Sequence, residues 1–138
     1  MPVKTKHRII IDTNLWISFL LTSDYSKADQ LFADNAITLL FSQELIEEFT
    51  EVAQRPKFRK YFSIDDMEDL LKKMRTRAAF IDVFSKIGLC RDPKDNFLLV
   101  LAQDGNATHL LTGDKDLLIL ENIGKTKIIT ITDYLTKR

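Results

Sequence analysis

Short apolar runs rich in β-branched residues alternate along the chain with segments in which apolar residues recur at helical spacing. Several of the short runs lack a clean alternation of polar and apolar positions, and this pattern is typical of strands that are covered on both faces. They predict five strands, at residues 8–11, 37–41, 79–84, 108–112 and 127–131.

The segments between these strands predict helices. Residues 42–54 carry their apolar side chains on one stripe centred near Phe49. Ser63-Ile64-Asp65-Asp66 has the form of a capping box that opens a second helix. Asp92-Pro93 places a cap residue before a proline at the first helical position, and that helix is predicted to run to Gly105-Asn106. Shorter helices are expected at residues 14–21 and 27–33.

Strands that alternate with helices predict an α/β fold, specifically a three-layer α/β/α sandwich with a mostly parallel central sheet of four to five strands. The 138 residues match the usual size of one compact domain, so we expect residues 1–138 to form a single domain. The chain contains no apolar run of the length that a membrane span requires. The first residues lack the apolar core of a signal peptide, so a cytoplasmic location is expected.

Charge and cysteine content exclude some classes of site. Twenty basic and twenty acidic side chains give a net charge of zero, which disfavours a generic nucleic-acid binder but permits a nuclease with segregated acids and bases. The single cysteine, Cys90, excludes an internal disulfide and a multi-thiolate zinc site, and we interpret it as a small packing residue. His7 and His109 are interpreted as packing or surface residues, since neither has a second histidine at metal-ligand spacing.

Carboxylates follow two of the predicted strands directly. Asp12 comes after the first strand, and Asp114 and Asp116 come after the fourth, with Gly113 in the intervening turn. Ligands of open parallel sheets bind outside the carboxyl ends of the strands, so these acids are placed where chemistry is expected. Glu48 is a third candidate because it lies at the margin of the apolar stripe of its helix, whereas Glu47 and Glu51 point away from the sheet.

Asp95 is a fourth candidate, at the third position of the helix that Asp92 opens. A structural interpretation is equally open for these two residues, since Asp92 can cap the helix and Asp95 can complement its dipole. Carboxylates gathered in one cleft repel one another unless a positive charge lies among them. Oxygen ligands without histidine or cysteine suit Mg²⁺ or Mn²⁺, and such ions commonly assist the hydrolysis of phosphate esters.

An ordered series of motifs resembles that of the PIN-domain family, and in particular the toxin components of prokaryotic toxin–antitoxin pairs. The series extends from residue 9 to about residue 118, and residues 127–134 suit the family's last strand and helix. Its members are Ile9-Ile10-Ile11-Asp12-Thr13-Asn14, Ser42-Gln43-Glu44-Leu45-Ile46-Glu47-Glu48, Arg55-Pro56-Lys57-Phe58, Asp92-Pro93-Lys94-Asp95-Asn96 and Thr112-Gly113-Asp114-Lys115-Asp116-Leu117-Leu118.

The resemblance implies a Mg²⁺- or Mn²⁺-dependent endoribonuclease with a compact parallel-sheet fold and a protein antitoxin or inhibitor as partner. It places the family's acidic quartet on Asp12, Glu48, Asp95 and Asp114. Asp116 corresponds to an additional acid near the metal, and Asp92 to an acid usually interpreted as structural. Thr13, Asn14 and Thr112 match polar positions that support the metal ligands.

Two groups of basic residues have alternative interpretations. Arg55, Lys57, Arg59 and Lys60 are candidates for contacting an RNA backbone, and the interleaved aromatic residues Phe58, Tyr61 and Phe62 could stack on bases, anchor a turn, or form an inhibitor or homodimer surface. Lys72, Lys73, Arg75 and Arg77 fit an ordinary solvated helix face, or alternatively border the cleft together with the first group and contact the RNA backbone. Three functions remain open at this point: a metal-dependent ribonuclease, a non-catalytic RNA- or partner-binding module, and a DNA-directed nuclease of the flap or repair type.

Overall fold

The computed structural model describes residues 6–83 and 96–136. Its strands are β1 (His7–Ile11), β2 (Ile37–Phe41), β3 (Ala78–Phe80), β4 (His109–Leu111), β5 (Asn122–Ile123) and β6 (Thr126–Ile129). Its helices are α1 (Thr13–Thr22), α2 (Ser26–Phe32), α3 (Gln43–Ala53), α4 (Ile64–Arg75), α5 (Asn96–Asp104), α6 (Lys115–Leu118) and α7 (Ile131–Thr136), with a short 3-10 helix at Pro56–Phe58.

The strands form one sheet in the order β3-β2-β1-β4-β6-β5. Every neighbouring pair is parallel except β5 and β6, which are antiparallel. In the centre of the sheet, Ile9 of β1 lies opposite Leu39 of β2, and Ile11 lies opposite Leu111 of β4. The prediction of an α/β fold around a mostly parallel sheet is therefore confirmed.

The sheet differs from the prediction in three places. The described residues contribute six strands to it, because a two-residue strand, β5, turns back on β6 through Gly124, whose φ of 54° suits a residue without Cβ. Strand β3 ends at Phe80, although the apolar pattern predicted a strand to residue 84. Strand β6 ends at Ile129, because Ile131 begins helix α7.

Strands β1, β2 and β4 are buried on both faces, as their unbroken apolar sequences indicated. The side chains of Ile9, Ile10, Leu39 and Leu110 are almost completely inaccessible to solvent. Helix α3 contributes Leu45 and other buried residues to the same core. Burial on both faces rigidly fixes the central strands, and their carboxyl ends therefore hold the residues that follow them in defined positions.

The helix termini follow the signals in the sequence. The Ser42 side chain accepts a hydrogen bond from the Leu45 backbone N–H at the start of α3. The predicted capping box is present at α4, where Ser63 Oγ accepts from the Asp66 N–H and Asp66 Oδ2 accepts from the Ser63 N–H. Helix α5 ends at Asp104, close to the predicted stop. Its predicted start at Asp92-Pro93 lies outside the described residues, as does Cys90.

Gly105 follows α5 at a point of close approach. A Cβ atom at this position would lie 2.9 Å from the Leu101 carbonyl oxygen and 2.9 Å from Leu40 Cδ1. Both distances are shorter than real Cβ contacts, so a side chain here would displace the backbone at the end of α5 and the side chain of Leu40. Asn106 then takes a positive φ of 51°, and the chain turns towards β4.

The two histidines pack at the amino ends of the central strands. His7 begins β1, His109 begins β4, and their ring centroids are 4.7 Å apart. His7 Nδ1 also forms a hydrogen bond with the hydroxyl of Tyr134 on α7. Both rings therefore lie at the opposite edge of the sheet from the residues that follow the strands, and they are partly exposed, which agrees with their interpretation as packing or surface residues. Within residues 6–83 and 96–136, no helix is long and apolar enough to cross a membrane.

Candidate active site

The carboxyl ends of β1 and β4 bring together residues that are a hundred positions apart in the sequence. The Asp12 N–H donates to the Leu111 carbonyl oxygen at 3.0 Å, which continues the ladder between the two strands beyond β1. Asp12 and Thr112 follow neighbouring parallel strands and consequently lie side by side. This is the position at which open parallel sheets bind ligands.

Asp12 is a buried carboxylate with only 4% of its surface exposed. The Thr112 hydroxyl donates to Asp12 Oδ2 at 2.7 Å, and the Asn14 backbone N–H donates to Oδ1 at 3.3 Å. Asp12 therefore also caps the N-terminus of helix α1. The Asn14 residue supports Asp12 through its backbone, since its side chain is exposed.

A chain of hydrogen bonds leads from Asp12 to the other acids after β4. Thr112 Oγ1 accepts from the Asp114 N–H at 3.0 Å while it donates to Asp12. Asp114 caps helix α6, and its Oδ1 accepts from the Asp116 N–H at 2.8 Å. Asp114 and Asp116 are both half-buried. Thr112 thus fixes the position of Asp114 relative to Asp12, which is a more specific role than general support.

The pKa of Asp12 is raised above its ordinary value, chiefly because burial disfavours the charged form. The hydrogen bonds from Thr112 and Asn14 oppose this rise, and the negative charge of Asp114 adds to it. Among the described residues, no lysine, arginine or histidine forms an ion pair with Asp12. Asp12 is therefore a buried carboxylate that lacks a cationic partner in the described part of the chain.

Glu48 is the only glutamate of α3 that is half-buried, whereas Glu47 and Glu51 are exposed, which agrees with the prediction from the helical stripe. The pKa of Glu48 is raised, first by burial and then by the charges of Asp12 and Glu51. Thr13 and Arg55 act in the opposite direction. These electrostatic effects show that α3, which packs against α1, brings Glu48 near Asp12.

The hydroxyl of Thr13 is a buried polar group without a hydrogen-bond partner within 3.5 Å among the described residues. It nevertheless lies near enough to Glu48 to lower the pKa of that carboxyl. The interaction of this buried hydroxyl with Glu48 is longer than a full hydrogen bond, so a polar ligand or water at this point would complete its bonding.

One of the four predicted acids, Asp95, lies outside the described residues. Asp92 lies outside them as well, so the position of both residues relative to Asp12 stays a prediction. Within residues 6–83 and 96–136, no three acidic, histidine or cysteine side chains converge closely enough to hold a metal ion by themselves. In the described part of the structure, Thr112 therefore links Asp12 to Asp114 by hydrogen bonds, and Glu48 lies close enough to Asp12 for their charges to interact.

The first group of basic residues surrounds the end of α3. Arg55 forms an exposed ion pair with Glu51 at 3.0 Å, and its charge also reaches Glu48. The Lys57 and Lys60 ammonium groups lie 5.0 Å and 5.3 Å from the ring centres of the aromatic residues that follow them. Phe58 and Phe62 stack on each other with their ring centres 5.9 Å apart, which favours their role as anchors of the turn.

The second basic group has more specific contacts than a solvated face. Lys73 lies 3.7 Å from an Asp29 carboxylate oxygen and over the ring of Tyr25. Arg77 lies beyond the end of α4, where it donates to the Phe32 carbonyl oxygen and to Asn35 Oδ1. The sequence pattern did not indicate these contacts, because both partners belong to a distant segment. Lys72 and Arg75 are exposed, as expected.

The fold and the site define a class of protein: a doubly wound α/β domain with carboxylates at the carboxyl ends of its central strands, where Thr112 links Asp12 to Asp114. A family model for the PIN domain matches residues 8–116, which is most of the chain, and the chain belongs to this family. PIN domains are generally nucleases, commonly metal-dependent and directed at RNA.

The chain is also similar to an uncharacterized protein, MJ1680, of Methanocaldococcus jannaschii. The two sequences are 29% identical over 125 residues, which cover 88% of this chain and 80% of that protein. A comparison with solved structures found no match.

Proposed function

We propose that this protein is a Mg²⁺- or Mn²⁺-dependent endoribonuclease that hydrolyses RNA phosphodiester bonds, and that it is the toxin of a toxin–antitoxin pair. The observation that carries the proposal is the buried Asp12 carboxylate, which Thr112 joins to Asp114 at the carboxyl ends of the central strands. Membership of a family of nucleases supports the reaction class. The ordered motif series supports the toxin assignment.

The residues present fit a divalent cation. Their donor atoms are carboxylate oxygens, which Mg²⁺ and Mn²⁺ prefer. Asp12 is buried without a cationic partner among the described residues, and its raised pKa reflects that unfavourable environment. The buried Thr13 hydroxyl, which has no hydrogen-bond partner within 3.5 Å among the described residues, provides a further polar group near Glu48. A bound dication would neutralise the charges that otherwise repel one another.

We assign the ligand set to Asp12, Asp95 and Asp114, with Glu48 and Asp116 acting through water or at a second ion. When bound, the ion supplies Lewis-acid chemistry that activates water and stabilises charge on phosphate oxygens. The residues of the chain hold this constellation in place. Thr112 orients Asp12 and Asp114, the backbone of Asn14 holds the second oxygen of Asp12, and Thr13 faces Glu48.

The substrate side of the site is proposed to include the basic turn, which we define as Arg55, Lys57, Arg59 and Lys60. Arg55 connects this turn electrostatically with Glu48. Exposed lysine and arginine side chains bind a phosphate backbone without reading its sequence, and such binding weakens as salt rises. Neutralising the basic turn should therefore reduce RNA affinity and flatten its salt dependence.

The decisive experiment compares RNA cleavage by the wild type, Asp12→Asn and Glu68→Gln in Mn²⁺ and in a chelator. Glu68 is an exposed acid of α4 and serves as the matched control. We expect cleavage by the wild type and Glu68→Gln in Mn²⁺, and a loss of roughly a hundredfold or more in Asp12→Asn. Undiminished cleavage by Asp12→Asn would overturn the proposed site.

The same assay separates the other functions. RNA binding that persists in the chelator without cleavage of any substrate would indicate a non-catalytic binding module. Faster digestion of flap or single-stranded DNA than of structured RNA would indicate a DNA-directed nuclease. Growth arrest on expression of the wild type, but not of Asp12→Asn, would support the toxin role, and a neighbouring gene product that relieves the arrest would identify the antitoxin.

A further inference from the structure

A groove that the proposed nuclease site does not use lies at the carboxyl end of β3, between the first turns of α3 and residues 80–83. The groove has a volume of about 520 Å³, and its apolar lining residues are Ile46, Phe80, Ile81 and Val83. Phe80 is 63% exposed, which is unusual for a large apolar side chain at the end of a strand. Sequence reasoning missed this groove because it joins the first turns of α3 with the segment after β3.

The backbone of β3 is suited to pair with a further strand. The Arg77 carbonyl oxygen and the Ile81 N–H both bond to β2, at 2.8 Å each. Polar backbone groups of a strand alternate in direction, so those of Ala78 and Phe80 point to the open side. Strand β3 is the last strand at this end of the sheet, and no strand in residues 6–83 or 96–136 lies beyond it.

The charged side chains that line the groove in the described part of the chain are all acidic. Glu44, Glu47 and Asp82 border it, and among residues 6–83 and 96–136 no lysine or arginine is one of its lining residues. A second copy of the chain paired through the same edge would bring two sets of these acids together, which is unfavourable. A nucleic acid would meet the same repulsion. The acids instead complement a polypeptide that carries lysine or arginine.

We propose that the groove beside β3 is a docking site for an extended segment of a basic protein partner, which adds a strand to the sheet, places an apolar side chain against Phe80 and pairs its basic side chains with Glu44, Glu47 and Asp82. Strand addition of this kind derives affinity from main-chain hydrogen bonds and specificity from alternate side chains. The proposal stands independently of the nuclease activity.

The test uses the full chain and two labelled peptides, one alternating lysine and valine and one alternating glutamate and valine. Fluorescence anisotropy should show binding of the lysine peptide only, with perturbation of the Ala78 and Phe80 amide signals in NMR spectra. The variant Glu44→Gln/Glu47→Gln/Asp82→Asn should weaken this binding roughly tenfold, because three exposed charge pairs are removed. Phe80→Ser should weaken it by a similar factor through loss of the apolar contact.

Two matched controls accompany these variants. Ile119→Ser removes an apolar side chain of similar exposure, 67%, from the segment after α6, and Asp65→Asn/Glu68→Gln removes exposed acids from α4. Both should bind the lysine peptide as the wild type does. Absence of binding, or equal binding by all variants, would overturn the proposal. A dimer in sedimentation equilibrium that Phe80→Ser dissociates would overturn it in favour of a second copy.

Discussion

Replacing Asp12 with asparagine should stabilise the metal-free protein. Asp12 is 4% exposed and has no ion-pair partner among the described residues, so its ionised form carries a desolvation penalty of several kcal/mol. The hydrogen bond from Thr112 offsets about 1.5–3 kcal/mol of this desolvation penalty, and the longer hydrogen bond from Asn14 offsets less. Asparagine retains one acceptor oxygen and carries no charge. We therefore expect a net gain of about 1–2 kcal/mol at neutral pH.

The stabilisation that Asp12→Asn brings should increase with pH. The pKa of Asp12 is higher in the folded chain than its ordinary value, so folding favours the protonated carboxyl. The contribution of Asp12 to stability is therefore fully present below its unfolded pKa and is lost as pH rises through the folded pKa. The difference in unfolding free energy between Asp12→Asn and the wild type should therefore increase as pH rises and disappear in acid.

Divalent metal should invert the order of stability. At a free Mn²⁺ concentration of roughly a hundred times Kd, binding stabilises the folded wild type by about 2.7 kcal/mol. This exceeds the expected advantage of Asp12→Asn, which loses a ligand and should gain little. The assay is thermal unfolding followed by the fluorescence of Trp16, the single tryptophan of the chain, which is buried in α1.

In the chelator, Asp12→Asn should unfold about 3–8 °C above the wild type, and Glu68→Gln should match the wild type. In saturating Mn²⁺, the wild type should be the more stable of the two. A variant that is less stable than the wild type in the chelator would refute the argument that burial of an unpaired charge dominates at Asp12. Equal stabilisation of both proteins by Mn²⁺ would refute the assignment of Asp12 as a metal ligand.

The remaining predictions test contacts elsewhere in the fold. Thr112→Val removes the hydroxyl that joins Asp12 to Asp114, so calorimetric titration should show Mn²⁺ affinity falling roughly tenfold, and an unchanged affinity would contradict that role. Arg77→Ala removes two hydrogen bonds to residues 32–35 and should lower the free energy of urea unfolding by about 1–2 kcal/mol. The pKa of His109 is lowered to about 4 by burial, by His7 and by Lys127, so the wild type should lose stability as pH falls from about 6.5 towards 4. In His109→Gln this acid-induced loss of stability should be smaller by about 1–2 kcal/mol, a figure that allows for the partial exposure of the ring. If the variant loses stability in acid as much as the wild type does, His109 is not the cause of the loss.

Local sequence signals were sufficient for most of the elements. The capping box at Ser63, the cap at Ser42 and the unbroken apolar run of residues 9–11 act within a few residues of the chain, so propensity and periodicity describe them. The half-burial of Glu48 between exposed neighbours also followed from helical geometry alone. Strand β5 was not predicted, because two residues are too few to show the alternation of polar and apolar positions that marks a strand. It forms only through its pairing with β6.

The sequence by itself determined the type and order of most of the longer elements and the acids that follow the strands, because short-range hydrogen bonding and the spacing of apolar residues decide these features. Only the tertiary structure decided that Thr112 would reach across from β4 to hold Asp12, that α3 would bring Glu48 into electrostatic range, and that β3 would leave an acidic groove at the end of the sheet. Those contacts depend on the register of parallel strands and on the packing of helices against them. Such long-range relations are set by the summed burial of the whole core and have no local signal in the chain.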